Sequence, residues 1–194
     1  MSTLVYIHGF LSSPKSKKAL QTQAWLAINR PDIDFLCPQL SSYPCEAKAQ
    51  LLHLFSQYSS ADTYLIGSSL GGFWSSFLIE QGLAEKAVLV NPAVGPHYRF
   101  TEFIGQTLQS YYSEDTFNLT RADMTCLKAC ESASLKSPQQ YWLLAQKDDE
   151  VLDYRDAQRR YADSRQAIED GGNHSFVGYE RYLPDIMGFF ESQE

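Results

Sequence analysis

No stretch of the 194 residues approaches the roughly 20 consecutive apolar positions needed to cross a bilayer. The opening Leu4-Val5-Tyr6-Ile7 has no Lys or Arg before it and runs at once into His8-Gly9, so it reads as a strand and not as a signal peptide. Positive charge is scarce: 16 Lys and Arg face 23 Asp and Glu, for a net charge of −7. That balance lacks the basic footprint of a nucleic-acid binder, favours solubility and leaves a small-molecule substrate open. Cysteine is sparse too. Cys37, Cys45, Cys126 and Cys130 form no C-x-x-C pair, and the spacing offers no further ligands for zinc. They are expected to be buried or half-buried thiols in a reducing cytoplasm. Repeats, linkers and low-complexity segments are missing, and a content of 44% hydrophobic and 20% charged residues excludes a disordered chain. One domain over residues 1–194, large enough for a substantial core, is the expectation.

What the chain does contain is organised around Gly67-Ser68-Ser69-Leu70-Gly71, a G-x-S-x-G pattern. Before it, Thr63-Tyr64-Leu65-Ile66 has the β-branched and apolar character of a buried strand. After it, Phe73, Trp74, Phe77 and Leu78 recur at helical spacing, which predicts a helix from near Leu70. A serine in a sharp strand-to-helix turn is the nucleophile elbow of α/β-hydrolases. Side chains at Gly67 and Gly71 would crowd that turn. The helix amino terminus would also aim free N–H groups at the serine.

Strands and helices alternate on both sides of this motif. Thr3–Ile7 reads as a first strand, Ser13-Pro14 as a helix start, and Leu20, Trp25, Leu26 and Ile28 as that helix's apolar positions. Ile33–Leu36 is a second strand, and Pro44 opens a helix through Ala47, Leu51, Leu54 and Phe55. Lys86–Val90, Tyr141–Ala145 and Arg165–Glu169 are further strands, and Phe189 and Phe190 belong to a closing helix. The order implies parallel βαβ units in an α/β fold, a three-layer α/β/α sandwich with a mostly parallel sheet. Between residues 93 and 136 the alternation stops. Tyr98, Phe100, Phe103, Tyr111, Tyr112 and Phe117 crowd this segment, which could form a short aromatic-rich cap over a site or pack on the main core.

A serine hydroxyl needs a base, and the base an acid, ordered Ser, Asp, His in chains of this pattern. Of the four histidines only His174, on Asp170-Gly171-Gly172-Asn173-His174, follows both the serine and a strand-end carboxylate. His8 comes too early and reads as a loop anchor. His53 reads as a surface residue, and His97, beside Pro96, could line the site. Asp148 and Asp149 both lie just past a strand end, where ligand sites of such sheets form. Asp149 is preferred because Glu150-Val151-Leu152 resembles the segment after the acid in hydrolases, with Asp148 the alternative; Asp153 reads as a helix cap. The N–H groups of Phe10 and Leu70 are the candidates for an oxyanion hole, one such donor being worth about 3–4 kcal/mol in a serine hydrolase.

The blocks Met1–Phe10, Gly67–Gly72, Val90-Asn91-Pro92-Ala93-Val94, Asp149–Tyr154 and Gly171–His174 are similar to those of the YqiA-type bacterial esterases, a small α/β-hydrolase family of Gram-negative bacteria. The similarity runs from the first residue to near the last and is weakest over Phe100–Lys136. It departs at Lys147-Asp148, where a glycine commonly precedes the acid. The resemblance implies a cytoplasmic carboxylic-ester hydrolase of the α/β-hydrolase fold, whose nucleophile, acid and base motifs match Ser69, Asp149 and His174.

Together these readings point to acyl transfer to water through an acyl-enzyme on Ser69, with short to medium acyl esters as substrates and with neither metal nor organic cofactor. An acyl-CoA thioesterase is the sibling alternative, with only Lys15, Lys17 and Lys18 as early basic charge for a CoA phosphate. A non-catalytic binding protein on a hydrolase fold is the alternative of another class, and a peptidase or C–C hydrolase also fits a triad alone. The oligomeric state is left open.

Overall fold

The computed structural model describes residues 2–192, so Met1 of the first motif block lies outside the described residues. In chain order the elements are β1 (Thr3–Ile7), α1 (Lys17–Asn29), β2 (Asp34–Leu36), α2 (Pro44–Phe55), β3 (Thr63–Ser68), α3 (Leu70–Glu80), β4 (Lys86–Val90) and α4 (Pro96–Arg99). They continue with β5 (Thr107–Gln109), β6 (Thr116–Asn118), α5 (Arg121–Cys130), β7 (Tyr141–Gln146), α6 (Tyr154–Arg160), β8 (Arg165–Glu169) and α7 (Leu183–Glu191). Six strands form one sheet in the order β2-β1-β3-β4-β7-β8, and every neighbouring pair is parallel.

The inner strands β1, β3, β4 and β7 are covered on both faces, which is why they are largely apolar without alternation. In β1, Val5 and Ile7 pack towards α2, α3 and α6, while Leu4 and Tyr6 pack towards α1 and α7. α3 lies behind β3 with all eleven residues buried, so it carries no polar stripe. The chain leaves β1 in one direction to β2 and crosses back to β3, which opens a crevice at the carboxyl ends of β1 and β3. Ligand sites of open parallel sheets form at such reversals.

Several local expectations are corrected. α1 begins at Lys17 and not at Ser13, whose Oγ accepts the Lys15 N–H instead. Its inward positions are Ala19, Thr22 and Leu26, while Leu20 and Ile28 face solvent. Segment 93–136 holds α4, α5 and a two-stranded antiparallel ribbon, β5–β6, that no periodicity announced. The ribbon reaches back to the body, the Tyr111 N–H donating to the Leu11 carbonyl at 2.9 Å. Among the described residues no helix is long and apolar enough to cross a membrane.

The cysteine reading is also corrected. Cys45 in α2 and Cys126 in α5 are joined by a disulfide across 81 residues, with Cα atoms 5.8 Å apart. That span fits disulfide geometry. Helix packing makes the pair, and spacing along the chain could not reveal it. Cys37 and Cys130 are free thiols. Burial pushes the Cys37 thiol up to about 12, which keeps it unreactive. Thiol titration of the unfolded, unreduced protein should therefore find Cys37 and Cys130 alone, with Cys45 and Cys126 appearing only after reduction. Free Cys45 and Cys126 without reductant would show the pair to be open.

Candidate active site

β3 delivers the chain to Ser69 and α3 carries it away within one residue. To make that reversal Ser69 takes φ 55 and ψ −122. A non-glycine residue in so sparsely populated a region costs on the order of 1–3 kcal/mol and must be held there by its surroundings. The Ser69 N–H donates to the Val90 carbonyl at 3.1 Å, and the Ser69 carbonyl accepts from Gly72 at 2.9 Å and Ala93 at 3.0 Å. The turn closes tightly enough that a Cβ at Gly71 would lie 1.9 Å from the Ile7 carbonyl oxygen, and one at Gly67 2.3 Å from the Gly71 carbonyl oxygen. Gly72 is equally constrained, its Cβ falling 2.5 Å from that of Pro92.

Three side chains from three strand ends meet at this turn. His174 Nε2 lies 3.1 Å from Ser69 Oγ, and His174 Nδ1 lies 2.9 and 3.0 Å from the two carboxylate oxygens of Asp149. The carboxylate requires a proton on Nδ1, which leaves Nε2 to accept from the serine hydroxyl. Asp149 is itself fixed, since its Oδ1 accepts the N–H groups of Val151 and Leu152, both at 2.8 Å. Its side chain is 2% exposed. Asp148 is exposed and makes no side-chain contact with His174 among the described residues.

The histidine loop is clamped by residues that the motif analysis did not single out as supports. Gln146 Oε1 accepts the N–H groups of Asn173 and Val177 at 3.2 and 2.8 Å. Glu150 Oε2 accepts the His174 N–H at 2.9 Å, the first of the causes that hold its carboxyl below the ordinary range. Buried Asn91 donates through Nδ2 to the carbonyls of Asn173 and His174 and accepts the Gln146 N–H through Oδ1. Asn91 sits at φ 42, a left-handed conformation that asparagine tolerates better than most residues. Its signal in the sequence was its place in the Val90-Asn91-Pro92-Ala93-Val94 block, which carries the family resemblance but gives no role for the side chain. Asn91→Ala would orphan buried groups at a cost of about 1–3 kcal/mol. It is expected to lower melting temperature together with turnover, checked by thermal unfolding and ester kinetics.

The other histidines fall elsewhere. His8 donates from Nδ1 to the Gly9 carbonyl at 2.9 Å and accepts the Leu40 N–H on Nε2 at 3.2 Å, so it braces the loop after β1. Burial pushes its pKa down, which suits the neutral form that these bonds require. His53 is exposed on α2. His97, a candidate to line the site, is buried beside Glu131 at 3.2 Å and forms no part of the site's walls.

Ser69 and His174 open into a cavity of about 940 Å³. One side is apolar, built by Phe10, Phe100, Phe103 and Leu108. The other is formed by α1 and the histidine loop and includes Lys17 and Lys18. Phe10 and Leu70 both border it, and among the described residues neither N–H is spent on another acceptor. Leu70 is the first residue of α3, where N–H groups have no partner within the helix.

Solved structures share this architecture. A hydrolase from Agrobacterium vitis S4 superposes with a TM-score of 0.72 at 19% identity, covering 98% of this chain and 88% of that one. Est1E from Butyrivibrio proteoclasticus gives 0.68 at 14% identity, covering 97% and 86%. The mouse alpha/beta hydrolase domain-containing protein 10 gives 0.68 at 14% identity, covering 96% and 88%. At these identities the likeness establishes the α/β-hydrolase fold. Sequence goes further: a family model matches residues 3–191, and the chain belongs to the uncharacterised protein family UPF0227, the YqiA family.

Proposed function

We propose that this protein is a serine esterase that hydrolyses carboxylic esters of short to medium acyl chains through an acyl-enzyme on Ser69. The observation that carries the reading is the continuous relay from Asp149 through His174 to Ser69 Oγ, opening into a cavity with an apolar side. A hydroxyl is a weak nucleophile until a base takes its proton. In this reading His174 Nε2 removes the Ser69 proton as Oγ attacks the ester carbonyl. Asp149 stabilises the imidazolium, and the N–H groups of Phe10 and Leu70 receive the oxyanion. His174 then protonates the departing alkoxide and releases the alcohol. In the second half a water gives its proton to His174, attacks the acyl-enzyme and frees the acid with Ser69 restored. No step calls on a cofactor.

The cavity volume suits a small-molecule ester. The β5–β6 ribbon and the aromatic residues before it act as the cap, shielding the acyl chain from water. The same relay would also cleave an acyl-CoA thioester. An esterase reading is preferred because the family resemblance is to carboxylic-ester hydrolases, and the basic residues that border the cavity are limited to Lys17, Lys18 and Arg99. By its family resemblance we assign the protein to the cytoplasm, where the Cys45–Cys126 pair would meet reducing conditions.

The test is labelling with a fluorophosphonate probe, with Ser69→Ala and His174→Ala alongside. Labelling of the native protein alone, mapped to Ser69, followed by hydrolysis across a 4-nitrophenyl ester series, is the expected result. A folded native protein that takes no label would overturn the reading in favour of a binding role.

A further inference from the structure

The cavity wall nearest the histidine loop carries a cation that the protein does not neutralise. Lys18, in the first turn of α1, is half-buried there, and its Nζ donates to the Ser175 carbonyl at 2.9 Å. Among the described residues it forms no ion pair with a carboxylate. An ammonium has three donors, so two remain unspent. The nearby acids are otherwise engaged: Asp149 by His174 and two backbone N–H groups, and Glu180 by the Gln21 side chain at 2.9 Å. Lys17 borders the same cavity from the next position and adds a second positive charge. Removal from water pushes the Lys18 pKa down to about 8, with the Asp149 charge opposing that shift, so the group remains mostly protonated at neutral pH. A half-buried charge without a counterion is unfavourable unless something supplies one.

The same cavity is bordered by Phe10, Phe100, Phe103 and Leu108. Ser69 therefore opens into a space that has both an apolar surface and a cation without an ion-pair partner. We infer that the natural substrate is an anionic ester, carrying a carboxylate that Lys18 binds while its hydrocarbon part lies on the aromatic wall. The inference rests on the esterase reading and names its substrate class. Two free ammonium donors match the two oxygens of one carboxylate. A single carboxylate matches the one half-buried ammonium more closely than a phosphate dianion would: Lys17 and Arg99, the other cations bordering the cavity, are exposed, and Glu102 and Glu180 border it too.

The experiment compares kcat/KM for two charged and neutral pairs. One pair is 4-nitrophenyl hemiglutarate against 4-nitrophenyl hexanoate, with the charge on the acyl side. The other is the butyrate ester of 4-hydroxybenzoate against phenyl butyrate, with the charge on the alcohol side. At least one anionic ester is expected to exceed its neutral partner, and Lys18→Met should cut that preference roughly 10- to 100-fold, the range of one charge-assisted hydrogen bond. Lys18→Arg should keep most of it. Equal losses on charged and neutral esters in Lys18→Met would overturn the inference, because Lys18 would then act only through the Ser175 carbonyl on the histidine loop. A Lys18-dependent preference for an acyl-CoA over both carboxylates would overturn the carboxylate assignment. Ser69 labelled by fluorophosphonate without any charge preference would sink this inference alone. No labelling and no hydrolysis of any ester would sink the esterase reading and this inference with it.

Discussion

Ser69→Ala is expected to lower kcat on a 4-nitrophenyl ester by several orders of magnitude; the corresponding loss in subtilisin, the reference case, is about 10⁶. The expected fold is intact. Alanine keeps the Cβ that Gly9 and the turn accommodate, and the backbone bonds from Ser69 to Val90, Gly72 and Ala93 do not involve the side chain. Only the Oγ contact with His174 Nε2 disappears, at the mouth of a cavity where water can replace it. Melting temperature should therefore move little while turnover collapses. Dissociation of those two readouts separates loss of a nucleophile from loss of structure. Turnover near the native level in a folded Ser69→Ala protein would rule out an acyl-enzyme at this position.

The second large effect distinguishes two adjacent aspartates. Asp149→Asn should reduce kcat by on the order of 10⁴, the size seen when an amide replaces the acid of a serine protease triad and the histidine is held in the wrong tautomer. The same argument applies to the proposed triad at these distances. An amide nitrogen facing His174 Nδ1 would demand that Nδ1 accept, which puts the proton on Nε2 and denies Ser69 its base. Asp148→Asn changes an exposed side chain with no hydrogen bond among the described residues, and should stay within a few-fold of native. Kinetics of the two variants side by side provide the measurement. The opposite ranking would transfer the acid role to Asp148 and contradict the geometry.

The elbow was legible because its signal is local. Gly67, Ser69 and Gly71 act within one turn, and Phe73, Trp74, Phe77 and Leu78 announce the following helix by spacing alone. Strand ends at Val90 and Gln146 were readable for the same reason, since a buried parallel strand is a short apolar run stopped by polar residues. The order of Ser69, Asp149 and His174 along the chain followed from those strand ends. Their contact did not, since it depends on three strands sharing one edge of the sheet.

The α1 error has a physical cause as well. Leu20 and Ile28 have apolar character without facing the core, whereas Thr22 is buried because its hydroxyl finds Lys18 O and the Tyr179 hydroxyl, both at 2.8 Å. Hydrophobicity reports burial poorly where a polar group is satisfied inside. His97 shows a similar limit: its place beside Pro96 in sequence says nothing about which side of the turn its ring occupies.

Sequence by itself determined the α/β class, the strand-turn-helix around Ser69 and the candidate residues, because each is encoded within a few neighbouring positions. Tertiary structure alone decided what joins distant positions. It paired Cys45 with Cys126, placed Asn91, Gln146 and Glu150 around the histidine loop, and brought Lys18 from α1 to the wall beside His174. These arrangements arise from the packing of helices and loops onto one sheet edge, and no periodicity along the chain records which groups that packing brings within hydrogen-bonding distance of one another.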